Sequence, residues 1–241
     1  LSLALVPSVG PFGINYVQDR LYADRYVSDL AELRKNAQAD MGVDTLSSMT
    51  AAMGKGRQAQ ASAPRHQETA AYAAYVLYQR AVRFGRDGAA ESEAKGLLEK
   101  VDRSQPTTAL QLATSAEDIL AGQLARARQT LAAAPADDVD VAVLIGELEL
   151  ASKDHEAATK AVSKAVGLSK SARTLYGLAR AQLASGKATE AEATAKSALE
   201  LSADHVSARV LLARVASGTS SREAEALELL GDGADAPVEN G

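Results

Sequence analysis

The chain has 241 residues, with 26 Lys and Arg against 31 Asp and Glu, a net charge of −5. That mild acidic excess, mixed along the chain, argues against nucleic-acid binding, which needs clustered basic surface; the absence of Cys removes disulfides and thiolate metal sites. There is no Trp and aromatic residues are 4% of the chain, which excludes a thick core of large side chains, whereas abundant Ala, the best helix former, suits thin layers between closely packed helices.

Residues 1–13 read as an apolar arm. Leu1–Val9 (LSLALVPSV) is interrupted by Pro7 and is far shorter than the roughly 20 residues a membrane span needs. Two readings stand open for it. It is either the trailing end of an anchor or signal segment or an ordinary N-terminal arm. On the first, membrane association would come through residues before Leu1. The Ala-rich composition is similar to that of bacterial proteins from GC-rich genomes. The compartment is then either the cytoplasm or the periplasm, as the soluble part of an anchored or exported chain.

Residues 14–135 carry a run of helical patterns punctuated by Pro64, Pro106 and Pro135. Tyr16–Gln38 reads as one helix bearing Leu21, Leu30 and Leu33. Asp44 is expected to cap a second, which carries Leu46, Met49 and Met53. His66–Phe84 is a third, ended by the Gly85-Arg86-Asp87-Gly88 turn, and Ala89–Val101 a fourth. Thr107–Ala121 and Leu124–Ala133 are weaker and separate near Gly122. No alternating β-branched run marks a strand. These segments read as degenerate helical hairpins or, alternatively, as an irregular helical bundle.

Residues 139–230 repeat. Moving back 33 positions, Leu178-Ala179 becomes Ile145-Gly146, Leu183 becomes Leu150, Ala191 becomes Ala158, Ala195 becomes Val162, and Ala198-Leu199 becomes Ala165-Val166. Moving forward 34, Leu178-Ala179 becomes Leu212-Ala213. Size is kept at each place. Small residues at 179 and 191 let two antiparallel helices cross closely, and Gly186 permits the turn between them. Ser220 and Glu223 form a capping-box pattern before a last short helix, Ala224–Leu230. Upstream, Ala127 precedes Pro135 by fewer residues than the full pattern has, so one helical turn is missing there. Residues 231–241 lack large apolar side chains apart from Val238 and read as a disordered tail.

The pattern of a small residue after Leu, a Gly turn, an early Ala and a late Ala-Leu resembles the tetratricopeptide repeat (TPR). The match covers Val139–Lys170, Ala172–Asp204 and a final half from His205. The resemblance implies an all-α fold: a right-handed α-solenoid of antiparallel pairs, about five to six hairpins, in which stacking is obligatory because no hairpin buries its apolar face alone. It also implies a concave groove lined by the first helices. Its positions two, five and nine are Asp140, Val143 and Glu147, then Arg173, Tyr176 and Arg180, then Ser207, Val210 and Arg214. Arg173, Arg180 and Arg214 with Tyr176 are expected to form a basic stripe suited to an acidic peptide or a C-terminal carboxylate. The competing reading pairs these arginines with Glu147, Glu190 or Glu192.

Nothing in the sequence selects catalytic chemistry. His66, His155 and His205 lack ligand spacing and read as polar surface residues, so no metal is expected. Met53-Gly54-Lys55-Gly56 lacks the spacing and the preceding strand of a phosphate loop. No cofactor motif occurs. Tyr72, Tyr75 and Tyr78, with Arg80 and Arg83, read either as packing between hairpins or as a second peptide-binding face. The expected function is a non-enzymatic scaffold or adaptor for a protein or peptide. The alternative is a structural subunit of a membrane-associated bacterial assembly that packs through the solenoid edges.

Overall fold

A computed structural model describes residues 28–218 and 222–231. The described residues form twelve helices and no strand. They are α1 (28–43), α2 (Leu46–Ser62), α3 (Gln67–Phe84), α4 (Gly88–Leu98), α5 (Thr108–Leu120), α6 (Leu124–Ala132), α7 (Val139–Ala151), α8 (His155–Leu168), α9 (Ala172–Ala184), α10 (Ala188–Leu201), α11 (Val206–Ser217) and α12 (Glu223–Gly231). The N-terminal arm, the start of the helix expected from Tyr16, Ser220 of the expected capping box and residues 232–241 lie outside the described residues.

Neighbouring helices pack in succession as pairs, and the first helices α3, α5, α7 and α9 also touch one another in order. This succession is consistent with a helical repeat. Local chemistry places the helix ends. Thr45 and Ser171 close capping boxes at the starts of α2 and α9. Asp87, Thr107, Asp138 and Asp154 cap α4, α5, α7 and α8 through their side chains. The pairs α7/α8 and α9/α10 match in length, 13 and 14 residues each. Helix α6 has only 9, which is the missing turn seen upstream of Pro135.

Turns at Gly122, Lys153 and Gly186 are one motif. Each of these residues has a positive φ, 73°, 61° and 77°. Each is followed by an amide that donates back five residues: Gln123 to Asp118, Asp154 to Glu149 and Lys187 to Gln182. At the crossings, Ala179, Ala191 and Ala195 are fully buried against Leu211 and Leu212. The equivalent crossing in the preceding pair is Gly146 against Val162.

Two features depart from a simple array. Helix α3 is buried on nearly every side, with Tyr72, Tyr75, Val76 and Leu77 at its centre. The core around it runs without a seam from Leu33 to Leu148, across Pro135. Helix α1 lies along the N-terminal ends of α7, α9 and α11. Arg34 pairs with Asp138 and Gln38 donates to Asp140 at 2.8 Å. Gly42 sits against Ser171, and Asp44, just past the helix, meets His205 at 2.9 Å. Asp138, Ser171 and His205 are the cap residues of three successive first helices, so α1 and the residue after it join the starts of all three.

Candidate functional site

The residues expected along the groove divide into a covered set and an open set. Asp140 and Arg173, both at position two, are not on an open wall. They are buried beneath α1 and α3, at 0% and 7% exposure. Arg173 Nη1 donates to Asp140 Oδ1 at 2.9 Å, and its Nη2 donates to Tyr75 Oη at 3.0 Å and Gln79 Oε1 at 2.9 Å. Tyr72 and Tyr75 both donate their hydroxyls to Asp140, at 2.9 and 3.0 Å. The expected basic stripe therefore loses its first member to the protein's own core. The physical reason is that α3 brings two phenols and an amide to the place a guest would fill, and a buried guanidinium needs such partners.

Burial works against charge on Asp140, but Arg173, Gln38 and Tyr72 outweigh it and hold its carboxyl below the ordinary range. Burial likewise opposes charge on Arg173, yet Tyr75 and Asp140 keep its guanidinium more basic than usual. Burial pushes the Tyr72 and Tyr75 phenols well above their ordinary value. Both stay protonated donors to Asp140.

A second buried network adjoins the first. Arg83 Nε and Nη2 donate to the Asp44 carboxylate at 2.8–2.9 Å. The guanidinium also stands over the Tyr176 ring, 4.2 Å from its centroid. His205 Nδ1 accepts the Ala208 amide at 3.2 Å, so Nε2 carries the proton that is donated to Asp44. The Tyr176 and His205 rings lie 4.9 Å apart. Burial opposes the charge on Asp44, but Arg83 and His205 overcome it and hold the carboxyl low. Asp44 is thus not the cap of α2, which is Thr45. His205 is not a surface residue either, being fully buried. No spacing rule links Asp44, Arg83 and His205, which stand on three distant segments.

The open set lies beyond these networks. A trough of about 1120 Å³ is walled by α3, α5, α7, α9 and α11. Glu147, Tyr176, Arg180, Ser207, Val210 and Arg214 line it, so six of the nine expected groove positions do come together. Its apolar wall includes Ile119, Leu120, Leu150, Leu183, Val210 and Leu211. Arg180 Nη1 donates to both Glu147 oxygens at 2.7 and 2.9 Å. Glu147 first, then Tyr176, raises the basicity of Arg180 against the effect of burial. Glu190 is not its partner, and Glu192 instead holds Arg222 and Lys196. Among the described residues the Arg214 guanidinium has no carboxylate partner, and the residue is exposed.

Among the described residues no group of three His, Asp or Glu side chains could hold a metal ion. None of the described helices is long and apolar enough to cross a membrane. No protein-family model matches the chain, and no curated protein matches it.

Proposed function

We propose that this chain is a non-enzymatic protein-interaction scaffold: a right-handed solenoid of TPR-like helix pairs that holds a segment of a partner protein in its trough. The trough carries the reading. Its size, its mixed apolar and cationic lining and its rigid helical walls suit a peptide segment. Arg214 offers its charge to an acidic side chain or a chain end.

The test is site-specific photo-crosslinking in the source cells. Benzoylphenylalanine at Val210, on the trough wall, is expected to capture a partner through one linear segment. A synthetic peptide of that segment is expected to compete. The same probe at Lys164, exposed on α8, is expected to capture nothing in common.

A specific observation favours the alternative of a subunit packing through its edges. Val43, Leu168 and Leu201 are exposed apolar residues at the ends of α1, α8 and α10, and Leu168 and Leu201 hold the same repeat position. Crosslinks from Leu201 to a stoichiometric neighbour, with none from Val210, would establish that reading in place of the trough.

A further inference from the structure

Glu147, Arg180 and Arg214 occupy one repeat position on three successive first helices, α7, α9 and α11. Along the trough they set one negative and two positive charges in a row. The charges do not count equally. Glu147 takes both of its bonds from Arg180, and the pair is largely sheltered, with the side chains 12% and 32% exposed. Arg83, the other cation on this wall, is already held by Asp44 through two nitrogens. Of the three arginines that line the trough, only Arg214 has no carboxylate partner among the described residues.

Resting on the trough reading above, we infer that Glu147 is a built-in competitor filling the inner anion position, so that the trough takes a segment with apolar side chains and one carboxylate, anchored at Arg214, in preference to a polyacidic one. A second carboxylate reaching for Arg180 would either displace Glu147 from Nη1 or approach the remaining nitrogens beside it, against the charge Glu147 already carries. The first exchanges one ion pair for another and leaves Glu147 sheltered without its cation, and the second meets like-charge repulsion, so little is gained. Toward the α5 end the wall is apolar, formed by Ile119, Leu120, Leu150 and Leu183. A carboxylate there would lose water against apolar side chains, and the Arg86 guanidinium on the Leu120 carbonyl is already paired with Glu91. The guest's charge therefore belongs at the α11 end and its apolar groups at the α5 end.

Three peptides test this on the full chain: N-acetyl-Leu-Ala-Leu-Ala-Leu as the free acid, the same peptide as its amide, and N-acetyl-Leu-Glu-Leu-Glu-Leu as the free acid. Binding is followed by the arginine Nε–H signals in nitrogen-15 NMR. The monoacid is expected to bind about fivefold more tightly than the amide and to move the Arg214 signal most. The triacid is expected to gain less than about twofold over the monoacid. Glu147→Gln should raise triacid affinity about tenfold and leave the monoacid nearly unchanged. Arg214→Gln should erase the difference between acid and amide.

A triacid binding about tenfold more tightly than the monoacid to the unmodified chain overturns the inference, as does equal binding of monoacid and amide. Either result leaves the trough reading standing. If none of the three peptides shifts a trough residue, the trough reading itself falls and this inference with it. The ranking on the unmodified chain needs no variant, so a Glu147→Gln chain that failed to fold would not shield the idea.

Discussion

Asp44 and His205 are 161 positions apart, yet His205 Nε2 meets Asp44 Oδ2 at 2.9 Å and neither side chain is exposed. The contact joins the corner between α1 and α2 to the cap residue of α11, so the two ends of the described array are held to each other. Asp44 is also the carboxylate that Arg83 hydrogen-bonds, and its backbone sits in the left-handed region at φ 58°. Replacing Asp44 by Ala strands a buried guanidinium, and such a loss costs about 3–5 kcal/mol. Asp44→Ala is therefore expected to lower the free energy of unfolding in urea by that amount. Asp44→Asn, which keeps the shape and tolerates the backbone, is expected to cost less. A loss under about 1 kcal/mol for the alanine variant would show that the network holds nothing together.

The same carboxylates set an acid limit. Asp44 and Asp140 are both held below the ordinary carboxylate range in the folded chain. An unfolded Asp titrates near about 3.9, so the stability these groups contribute is fully present above that pH. It is lost as pH falls through their folded values, when each must take a proton and give up its cations. Each such group steepens the fall by up to about 1.4 kcal/mol per pH unit between its two pKa values. Urea unfolding at pH 6, 4, 3 and 2.5 should show a plateau and then a decline that is shallower in Asp140→Asn. Equal slopes in both chains would remove Asp140 from the account.

Much of this fold was readable from side-chain size at fixed spacing. Ala179, Ala191, Ala195 and Leu212 gave the crossings, and Gly122 and Gly186 gave the turns, because those constraints are local and recur. The lengths of α7 to α10 follow from the same repeat. The site was only half readable. Glu147, Tyr176, Arg180 and Arg214 share the trough because they hold repeat positions. Arg173 and Asp140 hold repeat positions too, but what covers them is α3, whose Tyr75 and Gln79 lie more than 60 positions from Asp140 and more than 90 from Arg173. Periodicity says which face a residue takes on its helix. It does not say which distant helix will cover that face. The surface place expected for His205 fails for the same reason: it is a cap residue by position, but its burial depends on Asp44 from the other end of the array.

Lys153 tests the turn motif. It takes the left-handed place that Gly122 and Gly186 fill in the neighbouring turns. A side chain there costs about 1–2 kcal/mol, of which Gly returns part through its greater freedom when unfolded. Lys153→Gly is expected to stabilise the chain by about 0.5–1 kcal/mol and raise the thermal midpoint by about 2–4 °C. Calorimetry would show it. A fall in the midpoint would mean that the αL residue at 153 is not strained.

Gly146 offers the sharpest check on the repeat, because two rules of thumb oppose each other there. In an ordinary helix interior, Gly→Ala gains about 1 kcal/mol. In α7, a Cβ at 146 would meet Val162 Cγ1 at 2.4 Å, and Val162 is buried at 3% exposure between Gly146 and Gly177. Overpacking of this kind costs about 1–3 kcal/mol. The next pair solves the same crossing with Ala179 and Ala195, so one pair uses a glycine with a valine and the other two alanines. Gly146→Ala alone is expected to destabilise the chain, and Val162→Ala alone to leave a gap at a cost of about 1–2 kcal/mol. Together they rebuild the alanine pair and should recover most of both losses, a coupling of about 1–3 kcal/mol in a double-mutant cycle of urea unfolding. Additive losses would mean that the two crossings are not the same structural position, and the repeat would lose its physical basis.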